Sequence, residues 1–432
     1  MPGTRFMLGP AIGRTRVPGM AKFMETPDKT DPAAHAATPW RLLALLMAMT
    51  AIGPATLNIL VPALPGLVER LATDTGTVQL MLSLYLLSLA SAQLLLGPLS
   101  DRFGRRPVVL AGLALAVAAS LAAIAASSIM SLIAVRIVQA IGASTGVVIG
   151  RAIIRDLYER DRAAAMIGLI TTAMVIAPMV SPLIGGILDT AFGWESIFLF
   201  IAAFSAMVWV WALLVLPETR PASAAGAPVM LWQHWRALLG DAKFHGYVLA
   251  GALGSAPFFT FLGGGPHVVV TLMGRSSAEY GVWFAITSLG YMSGNFTASR
   301  LSQRLGVDAM IMAGIALEFA GACVTAATVA AMPDGGPSTV FLPQFLISYG
   351  NGVLLPNAIA GAVSVRPQAA GTASGVAGFT QMSIGAAATQ AVTIALAGAA
   401  TAMPMVEMML IEAAAAGAMF WWLALRREAA AI

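Results

Sequence analysis

The chain has 432 residues, 58% hydrophobic and only 10% charged, with a formal net charge of +4. A soluble domain carries about 25% charged residues, so this chain cannot cover a water-facing surface and reads as an integral membrane protein. Its apolar runs are continuous rather than alternating, which excludes an outer-membrane barrel, and its basic residues follow membrane topology, so the net charge implies no nucleic acid. The single cysteine (Cys323) and four scattered histidines (His35, His234, His245, His267) offer neither an intrachain disulfide nor a metal-ligand cluster.

Residues 1–38 are polar and Pro-rich, with Arg5, Arg14, Arg16, Lys22 and Lys29. No apolar core leads to a cleavage site, so a disordered cytoplasmic tail is expected rather than a signal peptide; Met20 and Met24 are alternative starts. A bilayer core of about 30 Å needs roughly 20 apolar residues per helix. On that ruler twelve spans are expected, at about 41–65, 77–99, 107–127, 130–151, 163–187, 194–216, 246–268, 278–300, 307–331, 339–364, 371–397 and 403–425. Only Ser127-Ser128 separates the third from the fourth. All Lys and Arg except Arg70, Arg136 and Arg275 fall on one side of this arrangement, which makes that side and both termini cytoplasmic.

Between spans 2 and 3, Gly97-Pro-Leu-Ser-Asp-Arg-Phe-Gly-Arg-Arg-Pro107 reads as a charged loop holding Asp101, Arg102, Arg105 and Arg106. Span 4 carries Arg136, with Gln139 on the same face. A charge at the centre of a bilayer costs about 2.5–3.5 kcal/mol on insertion scales, so Arg136 is expected to face a central cavity, the competing reading being a partner for backbone carbonyls. Span 5 holds Pro178, Pro182, Gly185 and Gly186; segment 217–245 reads as a cytoplasmic linker; Gly263-Gly-Gly-Pro266 reads as a flexible break ending span 7. Leu301-Ser-Gln-Arg-Leu-Gly306 then repeats Leu99-Ser-Asp-Arg-Phe-Gly104 at an offset of 202, as Ala313-Gly314 repeats Ala111-Gly112. An even number of spans lies between the copies, so the repeat is parallel. The expected fold is an all-α membrane protein of twelve helices in two six-helix pseudo-repeats, 39–216 and 246–425, with a short cytoplasmic C-terminus at 426–432. Such a plan places a substrate site at mid-depth between the halves.

The stretch Gly97–Pro107 resembles the signature loop of the major facilitator superfamily. Arg136-Ile-Val-Gln-Ala-Ile-Gly-Ala-Ser144, Arg151-Ala-Ile-Ile-Arg-Asp-Leu-Tyr158, Ala177-Pro-Met-Val-Ser-Pro-Leu-Ile-Gly-Gly186, Gly193-Trp-Glu-Ser-Ile-Phe198, Leu216-Pro-Glu-Thr219 and Leu355-Pro-Asn-Ala-Ile-Ala360 are similar to its bacterial drug:proton antiporter branch, the bicyclomycin and chloramphenicol resistance type. The resemblance implies a monomeric inner-membrane exporter, not an enzyme. It would work without cofactors by alternating access on small hydrophobic or amphipathic drugs in exchange for protons, with lipid as its surroundings. An exporter of an endogenous metabolite is the alternative within this class, and a channel or a membrane receptor the alternatives outside it.

That resemblance, read with the residues, implies a cytoplasmic gate of Gly97, Asp101, Arg102, Gly104, Arg105, Arg106 and Arg155, in which Asp101 meets the start of span 11 and Arg105, Arg106 and Arg155 hold it. In the second copy Gln303 replaces Asp101, so its latch should be weaker. Span 5 would bend at Pro178 and Pro182, with Gly185 and Gly186 packed closely. The substrate and proton pathway is expected to include Asn58, Gln93, Arg136, Gln139, Tyr291, Asn295, Asn357 and Glu412. Asn58 stands where relatives commonly have Asp and cannot titrate, which leaves Glu318, Glu407 and Glu412 as the intramembrane acids.

Overall fold

The structure, a computed structural model, describes residues 39–158, 160–219, 238, 240–332, 335–366 and 369–425. The expected tail 1–38, most of the linker 217–245 and the C-terminus 426–432 lie outside the described residues. Among those described, span 1 comprises Pro39–Ile59, a 3-10 turn at Val61–Ala63 and Leu64–Arg70. Spans 2 to 6 are Thr75–Phe103, Arg105–Ile124, Ile129–Leu157, Arg160–Phe192 and Trp194–Val215. Span 7 joins Ala242–Gly254, Ala256–Pro266 and a π-helical turn at His267–Leu272. Spans 8 to 12 are Ser277–Leu305, Val307–Ala331, Ser338–Val365, Ala370–Leu396 and Met403–Phe420, the last continued by a π-helical turn at Trp421–Leu425.

Each helical column answers to one expected span, and the ends differ for local reasons. Span 1 outruns its expected end because Pro62 and Pro65 fall at the first positions of new helical segments, where the missing N–H costs nothing. The charged stretch expected as a loop is almost entirely helix. Span 2 continues to Phe103 and span 3 starts at Arg105, so Gly104 alone makes the connection, at φ +100°. Gly306 does the same between spans 8 and 9 at φ +84°. No residue with a Cβ sits comfortably there. Arg151 and Arg155, expected after span 4, ride on its helix, which runs to Leu157. The expected break at Gly263–Pro266 is instead buried helix: Gly263 abuts Gln79 and Thr389, and Gly264 abuts Met405, Leu396 and Val392. The interruption of span 7 lies earlier, at Ser255. Span 5 is one helix through both prolines. The short turn at Ser127-Ser128 holds because Ser128 and Ser131 cap span 4 reciprocally.

Nine helices among the described residues are long and apolar enough, by length and composition, to cross a membrane. Spans 5, 8 and 11 are not among them, span 5 contributing only the shorter apolar stretch Ile176–Phe192; spans 8 and 11 pack across the middle, on spans 5 and 2 respectively. Gly281, Thr287, Ser288, Gly290 and Gly294 of span 8 and Thr389 and Thr393 of span 11 are buried against protein. Within each half, spans 3 and 4 and spans 9 and 10 cross through glycine: Gly142 presses on the Gly112 carbonyl and on Ala116, while Gly350 presses on the Gly314 carbonyl and on Glu318. That shared crossing is the physical content of the sequence repeat. Arg102, Arg105, Arg106, Arg151, Arg155, Lys243, Arg300, Arg304 and Arg366 gather at one end of the bundle, hereafter the basic end; Arg70 and Arg275 lie at the other, the far end.

Candidate functional site

At the basic end the ends of spans 2, 3 and 4 and the exit from span 6 are tied by charge. Arg105 Nε donates to Asp156 Oδ2 (2.9 Å), and its Nη1 donates to Asp101 Oδ1 and to Ser100 Oγ (2.6 Å). The Arg105–Asp156 pair is nearly enclosed, at 11% and 13% side-chain exposure, whereas Asp101 is 61% exposed. Glu218 caps span 3: Oε1 accepts from the Arg105 amide (2.9 Å) and Oε2 from the Arg106 amide (3.1 Å). A carboxylate at that helix N-terminus neutralises orphan N–H groups and the positive end of the dipole. Arg106 Nη2 donates to the Leu213 carbonyl (3.0 Å), and the Arg102 guanidinium lies 5.2 Å from the centre of the Phe103 ring.

The expected latch between Asp101 and the start of span 11 is not engaged here; Asp101 turns back to Arg105, four residues on in its own chain. Arg155 is exposed and outside the network, and its neighbour Asp156 takes the place expected of it. Gly104 is demanded by its φ and by the Glu218 carboxylate, which occupies the space a Cβ would need; a Cβ on Gly97 would meet nothing within 4 Å. Sequence reasoning missed Glu218 and Asp156. The available signal was an acid within two residues of Leu216, on the side where span 3 presents its unpaired amides.

Arg136 lies seven residues, about 10 Å of helix rise, from the far end of span 4 and is fully buried. It is closed inside the first half rather than open to a cavity. Its Nη1 donates to the Thr56 carbonyl (3.1 Å) and to Gln139 Oε1 (2.7 Å), and its guanidinium lies 4.2 Å from the centre of the Tyr85 ring. Gln139 Nε2 donates to Ser120 Oγ (2.7 Å), and Tyr85 Oη to the Gly53 carbonyl (3.1 Å). Spans 1, 2, 3 and 4 are thereby tied around one cation. Asn58, one turn from Pro54, donates to its carbonyl (2.8 Å) and leaves Oδ1 without a partner.

The remaining expected pathway residues do not converge on one point. Gln93 on span 2 stands opposite Gly378 on span 11. Asn295 donates to the Tyr291 carbonyl (2.9 Å) on span 8, and Asn357 is buried and donates to the Val353 carbonyl (2.8 Å) on span 10. Glu412 on span 12 accepts from Thr260 Oγ1 with both oxygens (2.7 and 2.9 Å). Glu407 is exposed on the outside of span 12. Asn351 donates to the Gly254 carbonyl (3.0 Å) and to Ser255 Oγ (3.4 Å), and Gln381 Nε2 to the same Ser255 Oγ (3.0 Å). The break in span 7 is thus the meeting point of spans 7, 10 and 11.

The far end is where the halves seal. Gly186 on span 5 lies against the Ser277 carbonyl and Ala278 Cα at the start of span 8, and Gly281 lies against the Pro182 carbonyl and Leu183 Cα. Gly185 packs on the Ile59 carbonyl within the first half. Between spans 2 and 11, Gln390 Nε2 donates to the Gly76 carbonyl (3.2 Å) and Ser83 Oγ pairs with Thr389 Oγ1 (2.9 Å). Above this seal lies a cavity of about 440 Å³, lined by Asp74, Gly263, His267, Thr393 and their neighbours and by none of the expected pathway residues. Thr77's hydroxyl and amide hold the Asp74 carboxyl below the ordinary carboxylate range.

Residues 44–390 match the description "Major Facilitator Superfamily". The chain is 30% identical to Multidrug resistance protein D of Escherichia coli (strain K12), over 79% of this chain and 85% of that protein. It is 33% identical to a chloramphenicol resistance protein of Pseudomonas aeruginosa over 63% of this chain and 64% of that one. In fold it is similar to a solved bacterial homolog of the human lysosomal transporter Spinster, with TM-score 0.71 at 14% identity, covering 90% of this chain and 98% of that one.

Proposed function

The chain belongs to the major facilitator superfamily, and on that footing we propose that it is a secondary active exporter of small hydrophobic or amphipathic drugs. It works by alternating access, in exchange for protons, in a bacterial inner membrane with the basic end in the cytoplasm. The observation that carries this reading is the contrast between the two ends. At the far end the halves meet backbone to backbone through Gly186 and Gly281; at the basic end Asp101 is exposed and paired within its own half. A molecule sealed outside and unlatched inside is poised to load from the cytoplasm.

The complementary state needs the basic end to close. There the Asp101 carboxylate would meet the N-terminus of span 11, a charge–dipole contact worth about 0.3–1 kcal/mol and up to ~2 when partly buried. The unoccupied space beside Gly97 supports this reading, since nothing in the present arrangement requires a glycine at that position. The second copy, with Gln303 in place of Asp101, has no charge to offer. The two six-helix bundles, 39–216 and 246–425, rock as units about the 217–245 connection, and one protein molecule suffices for the cycle.

Reconstituted protein with an imposed pH gradient, assayed against a panel of antibiotics in proteoliposomes, tests the reading. Saturable, gradient-driven flux of at least one drug is expected. Non-saturable flux would indicate a channel, and flux of no drug, with no change in drug resistance of a pump-deleted host, would leave an endogenous metabolite as cargo.

A further inference from the structure

The second half contains a carboxylate that its own fold gives no use. Glu318 on span 9 is fully buried, and neither of its oxygens has a hydrogen-bond partner. It sits at the glycine crossing of spans 9 and 10, with its Cγ against Gly350. The corresponding crossing of the first half places Ala116 against Gly142. The architecture is therefore complete with a methyl group at this point, and the second half puts an acid there instead. An ionised carboxylate so enclosed loses several kcal/mol of hydration, with only the Asn351 amide nearby to offset the loss.

What surrounds Glu318 narrows its role. Span 12 packs on span 9, with Gly417 against Ile315, and contributes Glu412, whose charge acts on Glu318 and which is itself held by Thr260 of span 7; Glu407 faces outward from the same helix. Span 10 contributes Asn351 beside it, and Tyr349, whose hydroxyl is engaged with Thr297. At the basic end Tyr247 Oη is bound to Asp308, and the described Lys, Arg and His residues of this half all lie toward helix ends. No cation among the described residues faces either acid at mid-depth. Glu318 is fully enclosed and Glu412 half-buried, and an enclosed acid facing a second acid and no cation keeps its proton in this arrangement. Asn351 and Gln381 then join the site, through Ser255, to span 11, which packs across the middle on span 2. Ser255 also joins the two segments of span 7 just ahead of Pro257, so a bend there shifts Thr260 relative to Glu412.

We propose that Glu318 and Glu412 form a proton-binding site inside the second half, loaded in the arrangement seen here and emptied when span 7 moves at Ser255. The step is a transfer of H⁺ between water and carboxylate, with no other bond made or broken. The proposal rests on the proton-exchange reading above and names the seat that reading lacks, since Asn58 cannot titrate.

The test uses full-length protein with Glu318→Gln, Glu318→Met, Glu318→Ala (the residue of the first half) and Glu412→Gln. Infrared spectroscopy of the purified wild type at neutral pH should show the carbonyl band of a protonated, buried carboxylic acid, absent from the Glu318 variants and shifted in Glu412→Gln. Thermal unfolding should find Glu318→Met no less stable than wild type, as expected when a buried unpaired acid gives way to an apolar side chain; a merely structural Glu318 would lose stability. In proteoliposomes each variant should lose the component of drug flux driven by the pH gradient. Persistence of the band in the Glu318 variants, or of pH-driven flux in both Glu318→Ala and Glu412→Gln, overturns the proposed site while exchange itself stands. No pH-driven flux in the wild type overturns the exchange reading and the site's role with it.

Discussion

Gly104 and Gly306 occupy the same place in the two halves, with nearly the same backbone, yet only Gly104 has a neighbour. Replacing either by alanine puts a Cβ into a glycine-only conformation, at about 1–3 kcal/mol. At Gly306 that is the whole cost, because nothing lies within 4 Å. At Gly104 the new methyl must also evict the Glu218 carboxylate, which accepts two backbone amides of span 3. Hydrogen bonds to a charged group contribute about 1.5–3 kcal/mol each. The site is partly open, so water recovers much of this and an excess of about 2 kcal/mol is a reasonable expectation. At roughly 2–4 °C per kcal/mol for a unit of 150–250 residues, Gly104→Ala should unfold several degrees below Gly306→Ala in detergent. The control is Glu218→Ala: with the carboxylate already gone, adding Gly104→Ala should cost no more than Gly306→Ala does. Equal unfolding temperatures for the two glycine variants, or an unchanged gap in the Glu218→Ala background, would refute the cap.

Three further outcomes follow from the contacts. Asp101→Asn should leave stability within about 0.5 kcal/mol of wild type, as for exposed substitutions generally, while transport collapses; Asp156→Asn, which removes the enclosed one of Arg105's two carboxylate partners, should cost about 1–3 kcal/mol, and unfolding and flux measured on the same preparations separate the two. Gly186→Ala sets a methyl against the backbone of Ser277 and Ala278, an overpacking of about 1–3 kcal/mol; in a Cys323→Ser background, a cysteine placed at Thr77 should label faster with an impermeant thiol reagent applied on the side of the far end, and unaltered labelling would refute the seal. Tyr85→Phe should cost only its hydroxyl's bond to Gly53, about 0.5–1.5 kcal/mol, whereas Tyr85→Leu should lose up to ~2 kcal/mol more with the cation–π contact to Arg136; equal costs would show that the ring face does not matter.

The helices were legible because each needs only a run of apolar residues, and the repeat because Leu99–Gly104 and Leu301–Gly306 share their letters. What the letters concealed was how little chain a reversal requires. Four charged residues between Asp101 and Arg106 read as a loop, yet a single glycine at positive φ turns the chain, leaving the rest free to be helix. The glycine run at 263–266 was misread for the complementary reason: composition does not distinguish a glycine that frees the backbone from one that admits a neighbour, and here Thr389 and Met405 fill the space. Among site residues, Asp101 and Arg105 announced themselves by crowding charge into one stretch. Glu218 and Asp156 act across 113 and 51 residues of sequence, and Arg136 gave no sign of whether it faced a cavity or a tyrosine ring. Such pairings belong to tertiary structure.

The energies of the two ends bear on how the cycle is driven. Moving a two-state equilibrium from 1:99 to 99:1 takes about 5.5 kcal/mol of differential interaction. A latch between Asp101 and a helix N-terminus supplies at most ~2 kcal/mol, which shifts the balance by about thirtyfold, far short of that. The far-end seal gains from backbone contact through Gly186 and Gly281, and that gain must be surrendered on opening. The latch therefore biases the exchange without being able to force it. A buried acid pair differs in kind: losing a proton from Glu318 in its present enclosure leaves an uncompensated charge costing several kcal/mol, a penalty large enough to oblige the second half to rearrange and let water in. On this argument the conspicuous charges at the basic end set the resting preference, and the proposed proton at mid-depth in the second half, where Glu318 stands at the position of Ala116, would supply the force for transport.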